Sequence, residues 1–394
     1  MYMYMYTAKR AESGYAAGSS SRTRTMTMTM KRQYLAPALA LLVVALLGGG
    51  AAWARAREAA PSPALYTTAL DQVPVALAVD ARRDHIFAIP ATGPTGSMLD
   101  AETGVVLGAV PAHGGAAAAD EGVGTVLVTG DAGVTMLDAA SGRVRRVVPM
   151  SVAPDSIAVD PRAGHAFVVD PGSNTVRTLD TRTGAIVRTM SAVMTPSGVA
   201  VDTRTERVFV TSDSPFVSVL DARTGAAGST LVVRTPGHLT IDPGSGRAFV
   251  VGAGAATVAM LDMRSGALLH TTTVAGGVVA LALDPRRERA YAVSRDGGWS
   301  FSPAVAGTLT VLDARSGAVV KTYQLGFNPT AVAVDARSGR IFIASGVGAT
   351  VEPDRWRWLP SWLRDKLPFL PPPGPHVRVR PPGVTAFAAP SYGN

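Results

Sequence analysis

From residue 73 onward, apolar and polar positions follow one another in a pattern that recurs about every forty residues. A short apolar run ending in aspartate opens each unit: VALAVD at Asp80, AAAAD at Asp120, SIAVD at Asp160, GVAVD at Asp202, HLTID at Asp242, ALALD at Asp284 and AVAVD at Asp335. The spacings are 40, 40, 42, 40, 42 and 51 residues. A second marker, LDxxxG, recurs at Asp100-Gly104, Asp138-Gly142, Asp180-Gly184, Asp221-Gly225, Asp262-Gly266 and Asp313-Gly317. Alternating stretches such as HAFVVD, RVFVTS, RAFVVG and RIFIAS lie between the markers. Their period of two and their Val, Ile, Phe and Thr content predict four short strands per unit, separated by tight turns. The glycine closing LDxxxG suits a left-handed backbone, and the aspartate can accept bonds from turn amides.

One four-stranded unit cannot bury both of its faces, but units packed radially can, which predicts an all-β, seven-bladed β-propeller. No helical period interrupts the repeats. The seventh unit stops after RIFIAS, a long insertion and GVTAFAA at 383–389, so it lacks a fourth strand. Residues 64–70, ALYTTAL, stand at the same offset from Asp80 as Val319 to Leu325 from Asp335. They are therefore expected to supply the missing outer strand of the last blade and to seal the seam between first and last.

Upstream, Tyr34 to Ala54 reads YLAPALALLVVALLGGGAAWA, uncharged and flanked by Lys31-Arg32 and Arg55-Arg57. This is one N-terminal hydrophobic helix, either an anchor that spans the bilayer or a signal peptide with small residues at its cleavage site. The first 29 residues are low-complexity runs, and a start at Met30 would give an ordinary signal sequence. The expected organisation is a basic tail at 1–33, the hydrophobic segment at 34–54, a linker at 55–63 and the propeller at 64–394. The net charge of +8 changes little in this picture. Residues 1–33 carry six basic side chains against Glu12, and residues 61–394 keep a net charge of only +2. The basicity is a topology signal that places the propeller outside the cytoplasm, cell-surface or secreted, and it argues against nucleic acid as a partner. The absence of cysteine excludes disulfides, thiol catalysis and Cys-ligated metal.

The repeat unit, written VAVDPxxxRxFVV followed by VxxLDxRTGxxxxT, resembles the YVTN repeat of YncE-like seven-bladed propellers. The resemblance covers residues 64–394, and it implies an extracytoplasmic or cell-surface binding protein. It names no cofactor and no reaction.

Candidate chemistry is sparse. His85 and His165 share a register with Arg207, Arg247, Arg289 and Arg340, which marks a scaffold position at a solvated blade edge. The recurring aspartates are turn formers, because a catalytic group has no reason to appear in every blade. His238 differs: it stands four residues before Asp242, where other blades carry Ala76, Ala116, Ser156, Gly198, Ala280 and Ala331. First strands line the channel, so His238 with Asp155, Ser197 and Thr330 forms a candidate channel-mouth site. An alternative function follows from it, a metal-dependent lactonase-like hydrolase. Related gluconolactonase-type propellers hold a divalent metal with Glu, Asn and Asp, whereas this chain offers three Asn in all and one carboxylate, Asp155, at that level. Ala and Val around the channel argue against a quinone cofactor, and no metal or other cofactor is implied.

Two insertions break the repeat, at 295–306 and 351–382, both between second and third strands. The second reads EPDRWRWLPSWLRDKLPFLPPPGP and holds three of the five tryptophans. Prolines 360 and 368 bound two turns of expected helix between them. Tryptophan and arginine are the favoured anchors of binding interfaces. Trp299, Arg355, Trp356, Arg357, Trp358 and Trp362 are the candidate binding residues. The sequence thus favours a binding or scaffold module over an enzyme, with a protein or cell-envelope partner and the membrane reached through the N-terminal segment. No small-molecule ligand is indicated.

Overall fold

The computed structural model describes residues 64–192, 195–212, 215–232, 237–252, 255–295, 306–352 and 376–389. The expected N-terminal hydrophobic helix and the expected helical turns of the second insertion lie outside them. The described part falls within one compact unit, Ala59–Asn394. Among the described residues there is no helix, and none therefore long and apolar enough to cross a membrane.

The strands form seven four-stranded antiparallel sheets. Blade one comprises Pro74–Asp80, His85–Pro90, Gly96–Asp100 and Val106–Val110, hydrogen-bonded in chain order. Blades two to six repeat this order, their first strands being Ala116–Asp120, Ile157–Asp160, Pro196–Asp202, His238–Asp242 and Gly277–Asp284. Blade seven is built from Pro329–Asp335, Arg340–Ser345 and Gly383–Ala388, with Ala64–Ala69 as its outer strand. Thr67 faces Thr385, and Ala69 faces Gly383. The innermost strands neighbour one another all the way round, blade seven returning to blade one.

Each second strand is buried on both faces because blades stack face to face. Phe87, Phe167, Phe209, Phe249, Tyr291 and Phe342 occupy the same register, and Leu127 stands there in blade two; all are fully buried. The core is accordingly seven separate clusters, each shared by two adjacent blades. One of them joins Leu70, Ile86 and Leu99 to Phe342 and Val384 across the seam between blades one and seven.

The seam has polar fastenings as well. Tyr66 donates its hydroxyl to the Ala101 carbonyl at 2.9 Å, and Thr68 donates to the Gly104 carbonyl at 2.7 Å. Burial pushes the Tyr66 phenol up to about 12. Thr330 does the same work at the inner edge, donating to the Pro74 carbonyl at 2.5 Å.

The turns follow the repeat chemistry. All six LDxxxG glycines have positive φ, between 68° and 76°. In the turn from first to second strand, the repeat aspartate is buried and its Oδ1 accepts amides two and three residues on, as Asp80 does from Arg82 and Arg83. The other oxygen takes a side chain of the same turn: Arg83 in blade one, Thr205 in blade four, Ser245 in blade five, Arg287 in blade six. Blade two has Val123 at that position, and Thr181 of blade three donates to Asp120 instead, at 2.6 Å.

One register differs from its expectation of a solvated edge. His85 is half-buried, its Nδ1 lying 2.8 Å from the Ala139 carbonyl of blade two. Arg247 donates to the Ala314 carbonyl of blade six, and Arg340 pairs with Glu102 of blade one. In these three blades the basic side chain reaches the next blade, whereas Arg289 donates to Asp313 of its own blade and Arg207 is exposed.

Candidate functional site

The propeller has two unlike faces. On one, the first-to-second-strand turn has four residues in all seven blades, and the third-to-fourth-strand turn has five residues in blades one to six. Among the described residues this face is uniform. On the other lie the second-to-third-strand loops and the inter-blade connections. The second-to-third-strand loops range from two residues in blade two to ten in blade six and 37 in blade seven.

The blade-six insertion occupies the gap between Arg289–Arg295 and Ala306–Asp313. The blade-seven insertion begins and ends as an antiparallel ribbon, Gly348–Glu352 paired with His376–Arg380. The ribbon starts three residues before the boundary expected from the repeat, and its strands were not expected. The signal was faint, since GATVE and HVRVR alternate for only five residues each. Its first strand neighbours the outer strand of blade six, Val319–Phe327. Trp299, Arg355, Trp356, Arg357, Trp358 and Trp362 lie outside the described residues.

The channel-mouth candidates are on the same face, at or just before first strands. Asp155 is exposed and precedes the first strand of blade three. Ser197 of blade four is half-buried, its hydroxyl 3.5 Å from that of Thr211, which donates at 3.1 Å to the Gly237 carbonyl. That carbonyl immediately precedes His238 of blade five. Three candidates therefore stand on consecutive blades, three to five. Thr330 stands apart on blade seven, with its hydroxyl bonded to Pro74.

His238 is open to solvent by surface area, yet desolvation by the surrounding chain holds its imidazole below the usual histidine range. The two observations agree for a group in a narrow, walled space, where water touches the ring without solvating it as bulk water would. The neutral imidazole, a donor and an acceptor, is the form favoured at neutral pH. Among the described residues, no three His, Asp or Glu side chains come close enough to hold a metal ion.

Strong electrostatic effects concentrate on the uniform face and have structural causes. The Arg145 guanidinium, helped by Ser141, holds Asp138 far below the usual carboxylate range. The Thr103 hydroxyl and amide lower Asp100, and Thr183 lowers Asp180 in the same way. Arginine recurs on this face two residues after the turn aspartates, a DxR spacing legible in the sequence.

A family model described as "Outer membrane protein assembly factor BamB" matches residues 172–352. The match runs from the second-to-third-strand turn of blade three to the first strand of the blade-seven ribbon. It agrees with a propeller architecture built from repeated blades. No curated protein matches the chain.

Proposed function

We propose that this chain is a binding and scaffolding propeller of the cell envelope that captures a protein partner on the face carrying both insertions. The observation that carries this reading is the contrast between the faces. Seven blades keep one set of turns uniform, while the other set departs from the repeat in two adjacent blades and adds a projecting ribbon there. Propellers host many activities on one scaffold, so function is sought where the repeat is broken. The similarity to an outer-membrane assembly-factor family supports a protein partner and an envelope setting. The uncharged run Tyr34 to Ala54 supports extracytoplasmic placement, by anchoring or by export. The domain division follows: tail 1–33, hydrophobic segment 34–54, linker 55–63, propeller 64–394.

In this reading Trp299, Trp356, Trp358 and Trp362 are apolar anchors, with Arg355 and Arg357 beside them, the side-chain types that dominate binding energy at interfaces. The test is photocrosslinking from the second insertion in envelope preparations, comparing the native chain with W356A/W358A/W362A. A specific crosslinked partner, lost on the order of tenfold in the variant while circular dichroism stays native, is the expected result. Equal crosslinking by both proteins refutes the site.

A further inference from the structure

The uniform face carries its own surface chemistry. Each turn aspartate pulls in the amide two residues on, which leaves the side chain at that position outside the turn. Arg82, Arg162, Arg204, Arg286 and Arg337 hold this position in the inner turns, and all are exposed. Arg182, Arg223, Arg264 and Arg315 hold it in the outer turns, equally exposed. Glu121, Glu206 and Glu288 pair with Arg82, Arg223 and Arg315. Arg162, Arg182, Arg264 and Arg286 make no ion pair with a described carboxylate within 4.0 Å. The inner-turn aspartates beneath Arg162 and Arg286 are buried and bonded within the fold, while Asp180 and Asp262, beside Arg182 and Arg264 in the outer turns, are half-buried and accept hydrogen bonds from their own turns.

Aliphatic side chains border these arginines. Immediately after the outer turns, Val106, Leu107, Ile186, Val187, Leu268 and Leu269 are each 44–60% exposed. The chain also enters the propeller at this face. Ala64 pairs with Phe387, whose neighbour Ala388 pairs with Arg340 at the end of an inner turn. Only residues 55–63 separate Ala64 from the apolar run Tyr34–Ala54 in the sequence, a reach of about 30 Å when fully extended.

We propose that this face is a membrane-facing surface that binds anionic phospholipid headgroups, so that the insertion-bearing face points away from the bilayer. Arginines on phosphates with aliphatic side chains at the headgroup boundary are the chemistry of interfacial attachment. Short, uniform turns suit a planar surface better than the recesses of a protein partner. The location at a membrane rests on the envelope reading above.

The chain has no cysteine, so a single introduced thiol carries a unique label. Ala132 and Ala140 are both exposed and flank the blade-two strand Gly133–Asp138, one at each face. The full chain bearing a fluorophore at Ala132→Cys or Ala140→Cys is reconstituted into phosphatidylcholine vesicles, with or without phosphatidylglycerol, containing a headgroup-linked quencher. Strong quenching at Ala140→Cys and weak quenching at Ala132→Cys, in phosphatidylglycerol vesicles and reduced by salt, is expected. R162Q/R182Q/R264Q/R286Q weakens the association on the order of tenfold, and the corresponding lysine variant retains it.

Equal quenching at the two faces, equal quenching in pure phosphatidylcholine, or indifference to the glutamine changes overturns the proposal. Tighter binding of polyglutamate than of anionic vesicles also overturns it, in favour of an acidic protein. Carbonate extraction reads the anchor separately: a chain it releases has no spanning segment, while the two labels still decide which face meets the lipid.

Discussion

The ring closes where the first described strand meets the first blade, and Gly104 is the point at which that seam can be stressed most cleanly. Gly104 has φ of +76°, and a Cβ placed on it would lie 2.4 and 2.6 Å from the Tyr66 ring and 2.7 Å from the Thr68 hydroxyl. Gly246, in blade five, has nearly the same φ of +70° but nothing within 4 Å. Gly246→Ala therefore measures left-handed strain alone, about 1–2 kcal/mol. Gly104→Ala adds displacement of the Tyr66 ring. That forfeits the hydrogen bond to Ala101, worth about 1 kcal/mol. It also costs about 1–2 kcal/mol of overpacking against a half-buried aromatic. The expected loss is about 3–5 kcal/mol, against about 1–2 for Gly246→Ala. Urea unfolding followed by far-ultraviolet circular dichroism reads both, with the slope checked for constancy between variants. Tyr66→Ala completes a double-mutant cycle: in that background Gly104→Ala should lose about 2 kcal/mol of its penalty. Equal penalties for the two glycine changes, or a Gly104→Ala penalty indifferent to Tyr66→Ala, would refute the seam geometry.

Thr181→Val removes the only hydroxyl shown donating to the inner oxygen of buried Asp120, and should cost about 2–3 kcal/mol. Thr205→Val removes an equivalent donor from an exposed turn residue and should cost about 1 kcal/mol; unfolding curves that rank the two the other way sink the cross-blade role of Thr181. His238 has a lowered pKa in the folded chain, so below the ordinary histidine pKa the unfolded chain binds more protons than the folded one. Stability should then fall as pH drops through that range, towards the lower folded-state pKa. His238→Gln should flatten this part of the profile, and an unchanged slope, or an imidazole titrating at or above the ordinary value by NMR, contradicts the walled environment.

Much of the fold is legible in the sequence. Alternation with period two gave the strands, DxxxG turns gave their ends, and the offset of Leu65 and Thr67 from Asp80 pointed to the outer strand of blade seven. These signals are local: a turn aspartate and the amides it captures lie two or three residues apart. The candidate site was less legible. Asp155, Ser197 and His238 do stand on consecutive blades, as the repeat register implies, but Thr330 stands alone with its hydroxyl bonded to Pro74 across the seam. The ribbon after Gly348 escaped notice because five alternating residues are too few to mark a strand.

By itself, the sequence determined the number of blades, the register of their strands, the left-handed glycines and the position of the insertions, because each is written in the repeat markers and their intervals along the chain. Tertiary structure decided which side chains serve a neighbouring blade. Tyr66 meets Ala101 across 35 residues, Thr181 meets Asp120 across 61, and His85 meets Ala139 across 54. It also gathered turns from seven repeats into one arginine-bearing face and set the ribbon after Gly348 at the opposite ends of the strands. Both outcomes have the same physical cause. A blade reads its own hydrogen bonds from its own residues, but its two broad faces are buried only when other blades close around it, and that packing fixes every partner beyond the repeat.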